Sequence, residues 1–290
     1  HSSSRIVFYN ICYNVLMVIV CAVFLFILGA VFGSFVGAFT WRLKYHKDWV
    51  KGRRECEHCH HKLTPLDLIP VISWISLGGR CRYCRKPIGW TTLLLELGLG
   101  AAFVTSFYFL PIAFGFTPAQ LIAGRSAWLI VLLAVWLIML IMLAALLVYD
   151  AKWHLLPNKI MYPLIALALI YTLIASFAIN HMAFMTWLGD TLLAMLPVAG
   201  LYGVLWLFSG GRWIGLGDVK LGVVVGLCLG WQLALAVLAI SNAIASLSVI
   251  PLLITKKLKP TSQIAFGPFL IVTLFAMVLF GNYLCDWLGI

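Results

Sequence analysis

Two aspartates at the ends of long apolar segments are the first candidates for chemistry. Asp150 closes one apolar run, and Asp218 opens another within Gly215-Leu-Gly217-Asp218. Carboxylates at membrane depth are costly and are therefore functional candidates by default. Two neighbouring carboxyl groups do not ionise equally, so one can keep its proton while the other acts as a base on water. If they meet, the pair would form an aspartic peptidase site.

The residues around Asp218 suit a close approach of substrate. Gly215 and Gly217 on either side of Leu216 let the backbone bend and are assigned a supporting role. Lys220, two residues further on, could bind a carboxylate or extend towards the membrane interface.

Structural roles remain open for the same aspartates. Asp150 could pair with Lys152 at a helix end, and Asp218 could cap the helix that it begins. Asp190, in another apolar segment, is a competing partner that we interpret as mainly structural. His154 is interpreted as an interfacial side chain.

Four cysteines form two Cys-x-x-Cys pairs, Cys56 with Cys59 and Cys81 with Cys84, separated by 21 residues. This spacing predicts a four-thiolate zinc site, which is structural because it leaves no open coordination position. Cytosolic thiols stay reduced, which favours metal over disulfides. The alternative is two redox-active or merely structural thiol pairs.

The amino-acid composition indicates the kind of secondary structure that carries these residues. Hydrophobic residues make up 63% of the 290, and only 29 residues are charged, which excludes a soluble globular enzyme and a disordered chain. Eight apolar segments predict an all-α polytopic membrane protein with about eight transmembrane helices and a zinc-ribbon-like cytoplasmic loop. They cover residues 15–39, 91–114, 127–149, 160–179, 184–208, 219–230, 231–254 and 264–288. The sixth segment is short and could join the glycine-rich loop before it as a broken element.

The expected organisation has four parts. Residues 1–5 lack a Met and are interpreted as a cloning remnant. Residues 6–41 form the first transmembrane segment, residues 42–90 the zinc-binding loop, and residues 91–290 a transmembrane catalytic bundle.

Basic residues set the expected orientation. The loop at 42–90 holds 11 of the 20 Lys and Arg residues, and placing it in the cytoplasm puts 18 of the 20 inside. Both termini then lie outside a bacterial inner membrane, with the aspartates near the cytoplasmic face. Because the lipid bilayer accounts for the positive charge, no nucleic-acid partner is expected.

Several motifs in order resemble the bacterial type IV prepilin peptidases, which are prepilin leader peptidases and N-methyltransferases. The resemblance covers nearly the whole chain. Its elements are Gly33-Ser34-Phe35, Arg42-Leu43, the two cysteine pairs, Leu68-Ile69-Pro70, Ser73-Trp74, Glu96, Asp150 with Leu156-Pro157-Asn158, Gly215-x-Gly217-Asp218-x-Lys220 and Phe266-Gly267-Pro268-Phe269. The sequence departs from the family pattern at Gly37, where Asn is usual, and at Thr91–Leu93, where an Arg-Tyr-Pro-like stretch is usual.

The resemblance implies a function and a site. Asp150 and Asp218 match the catalytic aspartates of enzymes that cut the basic leader from prepilins and pseudopilins. Many members then methylate the new N-terminus with S-adenosylmethionine, and Glu96 is assigned a possible methyl-transfer or substrate role. A transporter with a zinc-stabilised loop is the main alternative, and a methyltransferase that does not cleave is another.

Overall fold

A computed structural model describes residues 2–45, 56, 59, 61–62, 64–124, 126–254 and 265–288. The regular elements of these residues are all helices, which confirms the predicted all-α class. The chain forms two compact units, His1–Ser126 and Ala127–Ile290. Asp48, Glu55 and Glu57, which the sequence placed in the cytoplasmic loop, lie outside the described residues.

The first unit is built on two long helices. Its helices are α1 (Ser2–Lys44), α2 (Ile72–Ser76), α3 (Trp90–Ala113) and α4 (Pro118–Ile122), with a 3-10 turn at Pro65–Leu68. Helix α1 packs along α3 through Gly29 and Gly33, where a Cβ atom would overlap the backbone of α3 at Leu99 and Leu95. Small residues four apart let two membrane helices approach closely. Thus α3 lies with α1 in the first unit, whereas the sequence grouped it with the catalytic bundle.

The second unit contains the remaining long helices. They are α5 (Ala127–Trp153), α6 (Asn158–Leu173), α7 (Phe184–Met195), α8 (Leu201–Ser209), α9 (Leu216–Ile254) and α10 (Gly267–Leu288). A π-helical turn, Ile174–Ile179, extends α6, and another, Leu196–Gly200, joins α7 to α8. Helix α5 supplies much of the core, since Trp136 is fully buried, stacks on Phe275 and contacts Tyr171.

Among the described residues, seven helices are long and apolar enough to cross a membrane. The sequence counts eight segments because α9 contains two of them. Gly230 interrupts α9 with φ 75° and ψ 172°, a left-handed conformation that glycine adopts without a steric penalty.

The two parts of α9 fold back on each other at Gly230. Asp218 and Asn242 each lie twelve residues from Gly230. The Asn242 amide donates to the Tyr202 hydroxyl over 3.3 Å, and Asp218 is close enough to Tyr202 to interact electrostatically. A straight helix would separate Asp218 from Asn242 by about 36 Å at 1.5 Å per residue, so only a hairpin brings both to Tyr202.

Glycines in the first part of α9 set the position of Asp218. A Cβ at Gly222 would lie 2.8 Å from the Ala199 nitrogen, and one at Gly226 would lie 2.8 Å from the Ala194 oxygen. The helix therefore rests directly on the backbone of the last turn of α7 and of the π-helical turn that follows it. Asp218 lies one helical turn before Gly222 on this fixed segment.

Candidate active site

Asp150 lies in the last turn of α5 and is only 5% exposed. Its Oδ2 accepts a hydrogen bond of 3.0 Å from the Gly267 N–H at the start of α10. Helix α5 ends after Trp153, where His154 has a φ of 52°. The carboxylate is therefore held by a residue 117 positions away in the sequence. No local sequence pattern predicts this contact.

Asp218 lies in the first turn of α9 and is half-buried. Its carboxylate accepts a hydrogen bond from the Gly215 backbone, and its own N–H donates to the Gly215 oxygen over 3.1 Å. Asp218 thus also caps its helix. It lies close enough to Asp150 for the two carboxylates to repel each other. The fold brings together the two aspartates that the sequence singled out.

The sequence segments that carry the aspartates also pack on each other. Gly217 faces Leu156, because a Cβ at Gly217 would lie 2.8 Å from the Leu156 Cβ. The Lys220 ammonium donates to the Asn158 side-chain oxygen over 2.7 Å and to the Tyr162 hydroxyl over 3.2 Å. Lys220 therefore ties the start of α9 to the start of α6, and its hydrogen-bond partners are an amide and a phenol.

Two residues beside the aspartates, Tyr202 and Asn242, escaped the sequence analysis. Tyr202 is buried, interacts with Asp218, and accepts the hydrogen bond from Asn242. The Phe266 ring meets Tyr202 edge-on at 5.8 Å. Asn242 offered the only local signal, as an amide within an apolar segment, where polar side chains commonly join helices.

Asp190 and Lys152 were the other residues considered as partners of the two aspartates. Asp190 is on an exposed face of α7, unlike the buried Asp150. Lys152 lies 5.9 Å from the centre of the Trp153 ring.

Glu96 is in the first unit and is 4% exposed. Its Oε2 accepts a hydrogen bond of 2.6 Å from the Val71 N–H. Val71 has a φ of 64°, which is unusual for a β-branched residue. Glu96 therefore anchors a strained turn before α2 to helix α3.

The four cysteines of the loop converge. Their Sγ atoms all lie within 4.8 Å of one another, and those of Cys56 and Cys84 are 3.8 Å apart. The pairs adopt equivalent turns, since Cys56 N–H donates to the His61 oxygen and Cys81 N–H to the Lys86 oxygen, five residues on in each case.

This geometry suits a tetrahedral metal. Zinc–sulfur bonds of about 2.3 Å place the sulfur atoms of a tetrahedral site about 3.8 Å apart. This matches the distance between the Sγ atoms of Cys56 and Cys84. A disulfide would need a sulfur–sulfur distance of about 2.05 Å, far shorter than the 3.8 Å between the Sγ atoms of Cys56 and Cys84. The cluster could therefore hold one zinc ion with four thiolates.

An ion pair braces the cysteine loop. The Arg82 Nε donates to the Asp67 carboxylate over 2.8 Å, and the Thr64 hydroxyl donates to the same carboxylate over 2.7 Å. Burial alone would raise the pKa of Asp67, but the hydrogen bonds from Thr64 and Arg82 outweigh it and lower that pKa. Arg82 thereby connects the second cysteine pair to the 3-10 turn.

The structure thus defines a helical membrane protein in which two carboxyl groups lie near each other at helix ends, the arrangement that an aspartic peptidase site requires. Two family models match the chain: the bacterial peptidase A24 N-terminal domain over residues 27–110 and the type IV leader peptidase family over residues 137–285. The chain belongs to the type IV leader peptidase family and is a peptidase of that type. This membership leaves the transporter alternative without support.

Curated relatives agree with the family models, and three are each named prepilin leader peptidase/N-methyltransferase. The protein from Aeromonas hydrophila is 31% identical over 80% of this chain and 73% of its own length. The protein from Pseudomonas aeruginosa is 29% identical over 88% and 89%, and that from Burkholderia pseudomallei strain 1026b is 32% identical over 79% and 68%. No solved structure matches the chain.

Proposed function

We propose that this enzyme removes the basic leader from type IV prepilins or pseudopilins, with Asp150 and Asp218 as its catalytic residues, and then N-methylates the new N-terminus. The observation that carries the proposal is the proximity of the two carboxyl groups, one buried at the end of α5 and one half-buried at the start of α9. The names of the relatives supply the substrate class and the methylation.

The proposed cleavage uses both carboxyl groups in different protonation states. The ionised carboxylate takes a proton from a water molecule while the water oxygen attacks the carbonyl carbon of the scissile bond. The protonated carboxyl group donates its proton towards the carbonyl oxygen as negative charge develops there. The C–N bond then breaks, the amine leaves with the proton taken from water, and the second carboxyl group recovers its proton as the carbonyl re-forms.

The chain is a multi-pass membrane protein, and we propose that the aspartates face the cytoplasm. Four basic residues lie at the helix termini nearest the aspartates in sequence, Lys152 and Arg212 at the ends of α5 and α8 and Lys159 and Lys220 at the starts of α6 and α9. The positive-inside rule then places this end of the second unit on the cytoplasmic side. A prepilin would present its cleavage bond there, with its apolar helix in the lipid bilayer.

Zinc is proposed as a structural ion of the cysteine loop, held by Cys56, Cys59, Cys81 and Cys84. A four-thiolate site has no open position for water or substrate. The ion would stabilise the loop, and the proposed cleavage proceeds through the aspartates alone.

Methyl transfer is proposed to depend on the first unit. The residues around Glu96 do not fit a methyl donor as they stand, because its carboxylate is buried and already accepts the Val71 N–H. No step is therefore assigned to S-adenosylmethionine. Gly37, one of the departures from the family pattern, lies beside Leu95, the residue preceding Glu96.

Replacing Glu96 should separate the two activities. Glu96→Ala leaves the Val71 N–H without its acceptor, at a cost of about 1–3 kcal/mol to the turn, so methylation of a pre-cut substrate should fall by a factor of about 5 to 150. Cleavage should stay within about threefold, because the hydrogen bond that is lost joins two residues of the first unit, Val71 and Glu96. Mass spectrometry would quantify both products, and Glu96→Gln, which keeps an acceptor oxygen, is the matched control. Loss of cleavage with methylation intact would contradict the assignment.

The function itself is tested with purified enzyme in lipid, a synthetic prepilin carrying its leader and apolar segment, and S-adenosylmethionine. We expect a product shortened by the leader and carrying one added methyl group. A shortened but unmethylated product would support the peptidase activity alone and would contradict the proposed methylation. An intact but methylated substrate, or no change at all, would contradict the proposed cleavage.

A further inference from the structure

The first turn of α10 has one backbone donor to offer outside the helix. Phe269 and Leu270 donate their N–H groups back to the Phe266 oxygen, over 3.1 and 3.4 Å. Pro268 has no N–H. Gly267 therefore supplies the donor at the positively polarised end of the helix, and its hydrogen bond goes to Asp150.

Position 267 has no room for a side chain. A Cβ atom there would lie 2.7 Å from Oδ2 and 3.3 Å from Cγ of Asp150, and the first of these distances is shorter than real Cβ contacts. The backbone at Gly267 is outside the left-handed region, since its φ is not positive. The need for glycine here comes from the approach of the carboxylate, not from backbone conformation.

Neighbouring rings hold this turn in place. Phe266, whose oxygen accepts the first hydrogen bonds of α10, packs edge-on against Tyr202. Tyr202 in turn interacts with Asp218 and Asn242. The contacts therefore run from Asp150 through Gly267 and Phe266 to Tyr202, which lies near enough to Asp218 to interact with it electrostatically.

We propose that Gly267 is a positioning residue of the peptidase, whose N–H orients the Asp150 carboxylate towards Asp218. This inference rests on the proposed cleavage by the two aspartates. Asp150 stands at the end of its helix, where its side chain could otherwise rotate away from its partner. The hydrogen bond from α10 removes that freedom before substrate arrives, which is how positioning lowers a reaction barrier.

Replacing the amide at Gly267 by an ester tests the donor without adding atoms in the crowded space. Glycolic acid incorporated at position 267 by nonsense suppression removes the N–H and keeps the size of glycine. We expect kcat for prepilin cleavage to fall about 10²-fold, the usual effect of misplacing a catalytic group, with KM nearly unchanged. Gly267→Ala should lower kcat at least as much, because its methyl group displaces Asp150.

Gly281 provides the matched controls in the same helix. A Cβ at Gly281 would lie 2.6 Å from Cδ1 of Leu233, the far end of a flexible side chain. Gly281→Ala and glycolic acid at 281 should therefore keep kcat within about threefold, since the neighbour is distant from the dyad. Thermal melting would show that all variants remain folded.

The outcomes distinguish this inference from the proposed function. If the folded ester at 267 cuts at the wild-type rate, the N–H has no positioning role, even if Gly267→Ala is inactive. An equal loss in the variants at 281, or a rise in KM with kcat unchanged, would also overturn the inference. Failure of the wild-type enzyme to cleave would instead remove the proposed function.

Discussion

Asp150→Asn and Asp218→Asn should each reduce prepilin cleavage by about 10³-fold or more, because each carboxyl group has a role that the other cannot fill. An amide can neither take a proton from water nor donate one to the developing oxyanion. The residues act as a unit, so the double variant should be little worse than either single variant. Product formation by mass spectrometry measures the rate, and thermal melting confirms folding.

Asp190→Asn is the control for these variants, because Asp190 is an acidic residue of the same unit on an exposed helix face. It should keep cleavage within about twofold, as surface changes far from a site usually do. Substrate should still bind to the inactive variants, since its apolar segment contacts other surfaces. A folded Asp150→Asn or Asp218→Asn enzyme that cuts at near the wild-type rate would refute the aspartic mechanism.

Cys81→Ser should release zinc and loosen the cysteine loop. We expect about one zinc per chain in the wild type and almost none in the variant, because three thiolates leave a tetrahedral site incomplete. The loop should become sensitive to a protease under conditions where the wild type is resistant. Cleavage should fall less than in the aspartate variants, since the ion is structural. Elemental analysis, limited proteolysis and the cleavage assay measure the three effects.

Cys21→Ser is the matched control for the zinc experiment, since Cys21 is a free thiol in α1 of the same unit, outside the cluster. It should keep the full zinc content and a stable loop. Zinc-free wild-type protein with an intact loop would show that the cysteines do not act as a metal site. Disulfides in both pairs under reducing conditions would lead to the same conclusion.

The scarcity of charge and the spacing of a few residues were enough to predict much of this protein. Long apolar segments require helices in a membrane, because backbone groups must be satisfied within each segment. Two Cys-x-x-Cys pairs predict converging thiols, because each pair forms a tight local turn. Nine acidic residues left few choices for a catalytic pair, and Asp150 and Asp218 stood out because both border apolar segments.

The contacts that position these groups depend on tertiary structure. The hydrogen bond from Gly267 to Asp150 and that from Val71 to Glu96 join residues 117 and 25 positions apart. The hairpin of α9 at Gly230 follows from one backbone conformation, whereas hydropathy shows only two adjoining apolar segments. Helical periodicity reports which neighbours in sequence share a face. It carries no information about which glycine leaves room for a distant carboxylate, so only the folded chain decides how the aspartates are held.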